Sequence, residues 1–335
     1  MPTVFEICAG GGGQALGLEL AGFDHAGALE IDAHACATLR LNRPHWNVVE
    51  EDVRAFRGTS FAGVDLLAGG VPCPPFSIAG KQLGADDDRD LFPEALRLAK
   101  EMRPRAVMLE NVPGFAAEKF KDYRTALVTK FRRLGYQAEW RILNACDFGV
   151  PQLRPRFVLV AMKPDDMARF RWPESNGNGG AGTVGKTLED LMSENGWKGV
   201  KSWARRADGI APTIVGGSKK HGGPDLGPTR AKRQWAGLGV DGLGIANEAP
   251  DKAFPKDGSP KLTTRMVARV QGFPDSWEFA GKKTAAYRQV GNAFPPPVAE
   301  AVGRAILHAF EGVYEVPRDG GQDRLFEKPD ERAIL

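Results

Sequence analysis

The stretch FEICAGGGGQALGLE, residues 5–19, decides the fold. An apolar run ends at Ala9, four glycines fill positions 10–13, and a pattern of apolar residues at helical spacing starts at once. Glycine has no Cβ, so the backbone of such a turn can approach a ligand closely, and the helix that begins there offers unbonded N–H groups. The segment also satisfies G-x-G-x-x-A through Gly10, Gly12 and Ala15, and an acid, Glu30, closes the next apolar run. A strand, a glycine loop, a helix and then such an acid form the opening of an α/β sheet that holds an adenosine-bearing ligand. Two ligands stay open on these residues, a nicotinamide dinucleotide and S-adenosylmethionine.

Working outward, the first 165 residues alternate between short apolar runs and helical patterns. TVFEICA (3–9), HAGALEI (25–31), VDLLAGG (64–70), RAVMLEN (105–111) and RFVLVAM (156–162) read as buried strands. QALGLELAG (14–22), AHACATLRLN (33–42), LFPEALRLAKEMR (91–103) and YRTALVTKFRRLG (123–135) read as helices between them. This alternation predicts a Rossmann-like parallel sheet with helices on both faces. Asp52 follows a third strand candidate and is placed to hold an adenine amino group, as Glu30 is to accept from ribose hydroxyls.

From Asn176 to about Pro260 the chain turns rich in Gly, Pro, Lys and Arg, and helical periodicity persists only in TLEDLMSENG (187–196). A second, smaller domain of short strands and loops is expected at 197–286, between large-domain segments 1–196 and 287–317. Three prolines at 295–297 suit the start of the last helix, and residues 318–335 read as a charged tail. Residues 197–265 hold 13 Lys and Arg against 6 Asp and Glu, which points to a polyanionic partner. Trp197, Trp203 and Trp235 in this segment are expected to form its core.

The whole chain, 335 residues with 42% hydrophobic and 26% charged side chains, has the composition of a soluble globular protein. No run approaches the roughly 18 apolar residues of a membrane span, and no signal-peptide pattern opens the chain, so a cytoplasmic protein without a membrane partner is expected. Cysteines at 8, 36, 73 and 146 contain no CxxC pair, so neither a metal site nor a disulfide framework is expected. Cys73 differs from the other three in having Pro72 before it and Pro74 and Pro75 after it. Proline donates nothing to a ladder and fixes its own backbone, so this thiol sits on a stiff loop just beyond the strand DLLAGG.

Three stretches, GGVPCPPFSIAGKQLG (69–84), ENVPGF (110–115) and QLRPRF (152–157), supply a nucleophile, an acid and two cations at strand ends. Together with FEICAGGGG, ALEIDAHA, EEDV, TTRMVARVQGFPD (263–275) and QVGNAFPPPVAEAVG (289–303), in that order, they closely resemble the DNA cytosine-5 methyltransferases of bacterial restriction-modification type. The resemblance implies S-adenosylmethionine as methyl donor, S-adenosylhomocysteine as product, no metal, and double-stranded DNA as partner. It implies cofactor contacts from Phe5, Cys8, Ala9, Gly10, Gly11, Gly13, Glu30, Ile31, Asp52, Val53, Pro72, Leu91, Asn292 and Ala293. It also assigns residues 197–286 to a target recognition domain.

Carbon 5 of cytosine is a poor nucleophile until a thiolate adds to carbon 6 and breaks the ring's resonance, and Cys73 is the expected thiolate. Glu110 is expected to stay protonated, or to share a proton with the ring, while holding N3 and the exocyclic amine. Arg154 and Arg156, two apart on a strand, are expected to face one side and orient base and loop. Asn111 is expected to fix the turn. The target cytosine has to leave the duplex for this chemistry. Ser77, Lys81 and Arg89 after the cysteine, and Lys219, Lys220, Arg230, Lys232 and Arg233 in the basic segment, are the expected DNA contacts, with GPTRAKRQW (227–235) as the base-reading segment. Three positions depart from the family pattern: Glu6 stands where Asp is usual, Cys8 where an aromatic residue is usual, and Pro74 where Gln is usual. A monomer completes the expectation, and the sequence leaves open whether a cognate restriction endonuclease accompanies it. The same chemistry on RNA and a nicotinamide-dependent oxidoreductase are the alternatives.

Overall fold

The computed structural model describes residues 1–71, 90–175, 182–217 and 223–312. The chain opens with β1 (Thr3–Ile7), α1 (Gly13–Ala21), β2 (Asp24–Glu30), α2 (Ala33–Asn42) and β3 (Val48–Glu50). Next come β4 (Leu66–Gly70), α3 (Phe92–Met102), β5 (Ala106–Asn111), α4 (Lys121–Arg133), β6 (Gln137–Asn144), β7 (Pro155–Met162) and α5 (Pro164–Arg169). After α6 (Val184–Ser193), α7 (Val200–Arg206), α8 (Thr229–Gly237), α9 (Thr264–Val270) and α10 (Lys283–Asn292), the described chain ends with α11 (Pro296–Glu311). Pro295 caps this last helix and Pro296 opens it, as the proline run predicts. No helix among the described residues is long and apolar enough to cross a membrane.

Two compact units emerge. The first takes Met1–Ala145, Pro155–Ser175 and the segment from Ala293. Its seven-stranded sheet has the order β3-β2-β1-β4-β5-β7-β6. Strands β1 to β5 are parallel, whereas β7 runs antiparallel to both β5 and β6. The expected all-parallel sheet is thus corrected at one edge. Only the short segment 145–154 joins β6 to β7, too little for a crossover helix, so these strands pair antiparallel. Phe5, Ile7, Leu67, Val107 and Leu109 point to one face and form a core with α3 and α4. Helices α1 and α11 pack closely on each other, which the bare Cα of Gly17 permits: a Cβ there would lie 2.3 Å from the Pro296 carbonyl oxygen.

The second unit takes Cys146–Arg154 and Asn176–Asn292. It begins before the expected 197 because α6 packs on α7 and α9, and ends after the expected 286 because α10 packs on α9. The short strands expected here reduce, among the described residues, to three isolated bridges, Gln152 with Ala211, Gly196 with Asp251 and Ala246 with Thr263. Gly- and Pro-rich segments give no uninterrupted ladder. Trp197, Trp203 and Trp235 are fully buried, in the core role their composition predicts. Trp197 Nε1 donates to the Pro255 carbonyl and Trp203 Nε1 to that of Gly239, both at 3.0 Å. Arg269 is buried between Asp190 and Asp275, tying α6 and α9 to the turn that follows.

Candidate active site

Strand order reverses between β1 and β4: β2 and β3 extend the sheet one way, β5, β7 and β6 the other. Ligands of open α/β sheets bind at such a switch, outside the carboxyl ends of the strands. The glycine loop leaves β1 at that edge, and Val71 leaves β4 there.

In the glycine loop, Gly10 and Gly12 have φ of 54° and 85°, and Cys8 has φ of 53°. This left-handed geometry is costly for a residue with a Cβ, so the loop needs external anchors. Ala9 N donates to Leu29 O at 3.1 Å, and Gly10 N to Glu30 Oε2 at 2.7 Å. Glu30 Oε1 also accepts from the amides of Ile31 and Asp32, each at 2.8 Å. A carboxylate has about four lone-pair sites, so three backbone donors leave one acceptor direction for a ligand. A Cβ at Gly10 would meet nothing within 4 Å, so the loop presents bare backbone to open space there. Beside it Ile31, the residue after β2, is 65% exposed and presents an apolar surface. Asp52, half-exposed, caps its own turn by accepting from Arg54 N, and pairs with the Arg54 guanidinium at 3.5 Å. These features fit an adenosine-bearing cofactor: an acid for hydroxyls, an apolar side for a ring, and helix N–H groups for a charged tail.

Other expected cofactor residues lie deeper. The Phe5 side chain is fully buried and stacked on Phe56 with ring centroids 5.2 Å apart, within the core. Val53 and Leu91 are likewise in that core, whereas Ala9, Gly11 and Gly13 belong to the loop and the first turn of α1. Asn292 ends the second unit with its side-chain amide on Gly217 O, and buried Ala293 opens the last segment of the first.

At the end of β5, Glu110 pairs in register with Gly70 on one side and Val158 on the other. Its Oε1 lies 2.8 Å from Nε of Arg156, both side chains being about nine-tenths buried. The guanidinium gives the Glu110 carboxyl a charge-assisted hydrogen bond in this enclosed setting. Asn111 accepts from Val112 N at 2.8 Å and donates to Val71 O at 3.4 Å, fixing the turn and tying it to the chain leaving β4.

Arg154 has backbone partners of its own. It belongs to the second unit, is fully buried, and donates to the carbonyls of Ile214 and, at 2.8 Å, Gly291. It precedes β7, whereas Arg156 is the second residue of that strand. Sequence reasoning also passed over Gln152, fully buried beside it, which accepts from Ile214 N at 2.8 Å and donates to Gln271. The recurrence of Gln in QLRPR and RVQGF was the available signal. Arg154→Met is expected to destabilise the second unit by about 3 kcal/mol, since two enclosed carbonyls lose a charged donor. Urea denaturation checks this; an unchanged midpoint with lost activity would restore the orienting role.

Burial pushes the Cys8 thiol far up, helped by Glu30, Glu6 and Asp52, and pushes Cys36 up to about 12 and Cys146 upward. All three are poor sources of thiolate. Burial, with Glu30 nearby, also holds the Glu6 carboxyl well above the usual range. Cys73 lies outside the described residues, with Pro72, Pro74, Ser77, Lys81, Arg89, Lys219 and Lys220. Three peptide units, no more than about 11 Å of extended chain, separate it from Gly70. On α8 Arg230 and Arg233 are exposed, and Lys232 pairs with Asp225 at 3.0 Å. Among the described residues no group of three or more His, Cys, Asp or Glu is placed to hold a metal.

Comparison with known proteins fits this geometry. The chain is 59% identical over 310 residues to the Type II methyltransferase M.NaeI of Lentzea aerocolonigenes, covering 91% of this chain and 75% of that one. It is 56% identical over 312 residues to M.NgoMIV of Neisseria gonorrhoeae, covering 92% and 98%. The solved S. pombe Dnmt2 methyltransferase shares the fold at 20% identity, with a TM-score of 0.61 over 92% of this chain and 99% of that one. Residues 2–308 match the model of C-5 cytosine-specific DNA methylases, and the chain, with its glycine loop at the switch point and its Glu110–Arg156 pair, belongs to that family.

Proposed function

We propose that this protein methylates carbon 5 of a cytosine flipped out of a specific duplex DNA sequence, using S-adenosylmethionine. The observation that carries the proposal is the buried Glu110–Arg156 pair in register with Gly70, from which the chain runs on to Cys73 within three residues. The cofactor, when bound, supplies a methyl group activated by a positively charged sulfur. Glycine-loop backbone and Glu30 hold its adenosine and charged end, with Ile31 and Asp52 beside the adenine. Cys73 adds to carbon 6 of the base, Glu110 holds N3 and the exocyclic amine while sharing a proton with the ring, and Arg156 keeps the Glu110 carboxyl in place. Loss of the carbon 5 proton and expulsion of the thiol complete the cycle.

The second unit serves as target recognition domain in this reading. Arg230 and Arg233 on the exposed side of α8 supply its described cationic contacts, and arginine is suited to paired bonds with guanine. Kinship with two Type II methyltransferases supports action as the modification half of a restriction-modification pair. A monomer working on cytoplasmic DNA completes the proposal, and no metal takes part. Calorimetric titration tests its cofactor side: S-adenosylhomocysteine is expected to bind and NADH not to, and the reverse would contradict it.

A further inference from the structure

Trp203, fully buried, holds α7 against the second unit, and Lys201, Arg205 and Arg206 stand on the exposed side of the helix. Lys198, also exposed, precedes α7 by two residues. The loop 251–257 lies against the same end of the helix. Gly196 bridges Asp251, and the Lys252 side chain covers the bare Cα of Gly196, where a Cβ would lie 3.0 Å from Cε. At Gly199, the N-cap of α7, a Cβ would lie 2.2 Å from the Lys256 carbonyl oxygen. Both lysines of this loop are exposed. The start of α7 thus gathers Lys198, Lys201, Lys252 and Lys256, its last turn adds Arg205 and Arg206, and the only acids in these segments are Asp251 and Asp257. Asp251 is engaged in its own turn, accepting from Ala253 N at 2.9 Å and from Phe254 N at 3.0 Å. None of the six cations makes an ion pair among the described residues, whereas Lys232, Lys261 and Arg265 of the same unit meet Asp225, Asp241 and Glu194.

Fold stability does not account for this placement. The dipole of α7 favours Arg205 and Arg206 in its last turn but opposes Lys198 and Lys201 at its start. A surface that serves solubility alone intersperses both signs of charge, and this one carries almost a single sign. We infer that the α7 face, with Lys252 and Lys256 beside it, holds the phosphate backbone of the DNA duplex. Lys201 and Arg205 are about 6 Å apart along the helix axis, close to two steps of a DNA strand at about 3.4 Å each. Lysine, a point charge on a flexible stem, suits phosphates whatever the base sequence, so this face positions the duplex and leaves base reading to other residues. The inference rests on the DNA-methylation reading and adds to it a backbone-binding face that does not include the α8 arginines.

Two paired variants of the full chain test it, Lys198→Gln with Lys201→Gln, and Lys252→Gln with Lys256→Gln. Lys100→Gln with Lys130→Gln, on exposed positions of α3 and α4, removes the same charge from the first unit and serves as control. Binding to long unmethylated duplex DNA is titrated across a series of salt concentrations. Each test pair is expected to lower the slope of log affinity against log salt by about 2 and to weaken binding by about tenfold or more at 0.1 M salt. The control pair is expected to leave both quantities near wild type. Bisulfite sequencing is expected to find 5-methylcytosine at the same positions in the test pairs as in wild type, because backbone contacts carry no sequence information. An unchanged salt slope in both test pairs, methylation moved to other sequences, an equal loss in the control, or a loss seen with RNA and not with duplex DNA would each overturn the inference. Wild-type protein that forms no 5-methylcytosine overturns the methyl-transfer reading instead, whatever the salt slopes are.

Discussion

Cys73→Ser is expected to reduce methyl transfer by a thousandfold or more, on the order of what loss of a covalent nucleophile costs. A serine hydroxyl supplies no appreciable alkoxide near neutrality, whereas a thiol with pKa about 8.5 already supplies a few per cent of thiolate. The three other cysteines offer no substitute, since burial holds their thiols protonated. DNA affinity in the Cys73→Ser variant is expected to change by no more than a few fold, because phosphate contacts dominate such binding. A labelled-methyl assay beside a gel-shift titration checks both halves. Undiminished transfer would remove Cys73 from the mechanism.

The second large effect is expected from Glu110→Gln. The amide keeps the shape of the carboxyl but carries no charge and no proton to share with the ring, which is worth about a hundredfold in kcat for a group acting by proton transfer. It also strands the Arg156 guanidinium, about nine-tenths buried, without the counter-charge that it meets at 2.8 Å. A loss of stability of about 2 kcal/mol is expected from that change. Single-turnover methyl transfer and urea denaturation separate the two effects. A variant that is destabilised yet transfers methyl groups at the wild-type rate would reduce Glu110 to a structural ion pair.

Most of the sheet was legible because strands buried on both faces read as near-continuous apolar runs, as in AVML, the first four residues of β5, all of them buried. Strand β6 escaped for the opposite reason. It lies at the sheet edge, and its Gln137, Glu139 and Arg141 break the apolar run that a central strand would show. With β6 unseen, the antiparallel turn of β7 could not be anticipated. In the second unit, Gly- and Pro-rich composition announced irregular structure, but α7, α8 and α10 are helices of seven, nine and ten residues, too short for their periodicity to stand out.

The site divides in a similar way. Glu30 and the glycine loop were readable, since an acid after the second strand has one topological place to go. Arg154 and Arg156 look alike in QLRPRF, and only tertiary structure separates them: one guanidinium meets Glu110, while the other closes backbone carbonyls of the second unit. Phe5 shares β1 with residues leading to the loop, yet its side chain points into the core.

Bisulfite sequencing of DNA from cells expressing the wild-type chain, beside cells expressing Cys73→Ser, tests the central claim most directly. Cytosines protected from conversion at one position of one recurring sequence, in wild type only, are the expected result. Full conversion in both, or protection that persists in the Cys73→Ser cells, would contradict the account.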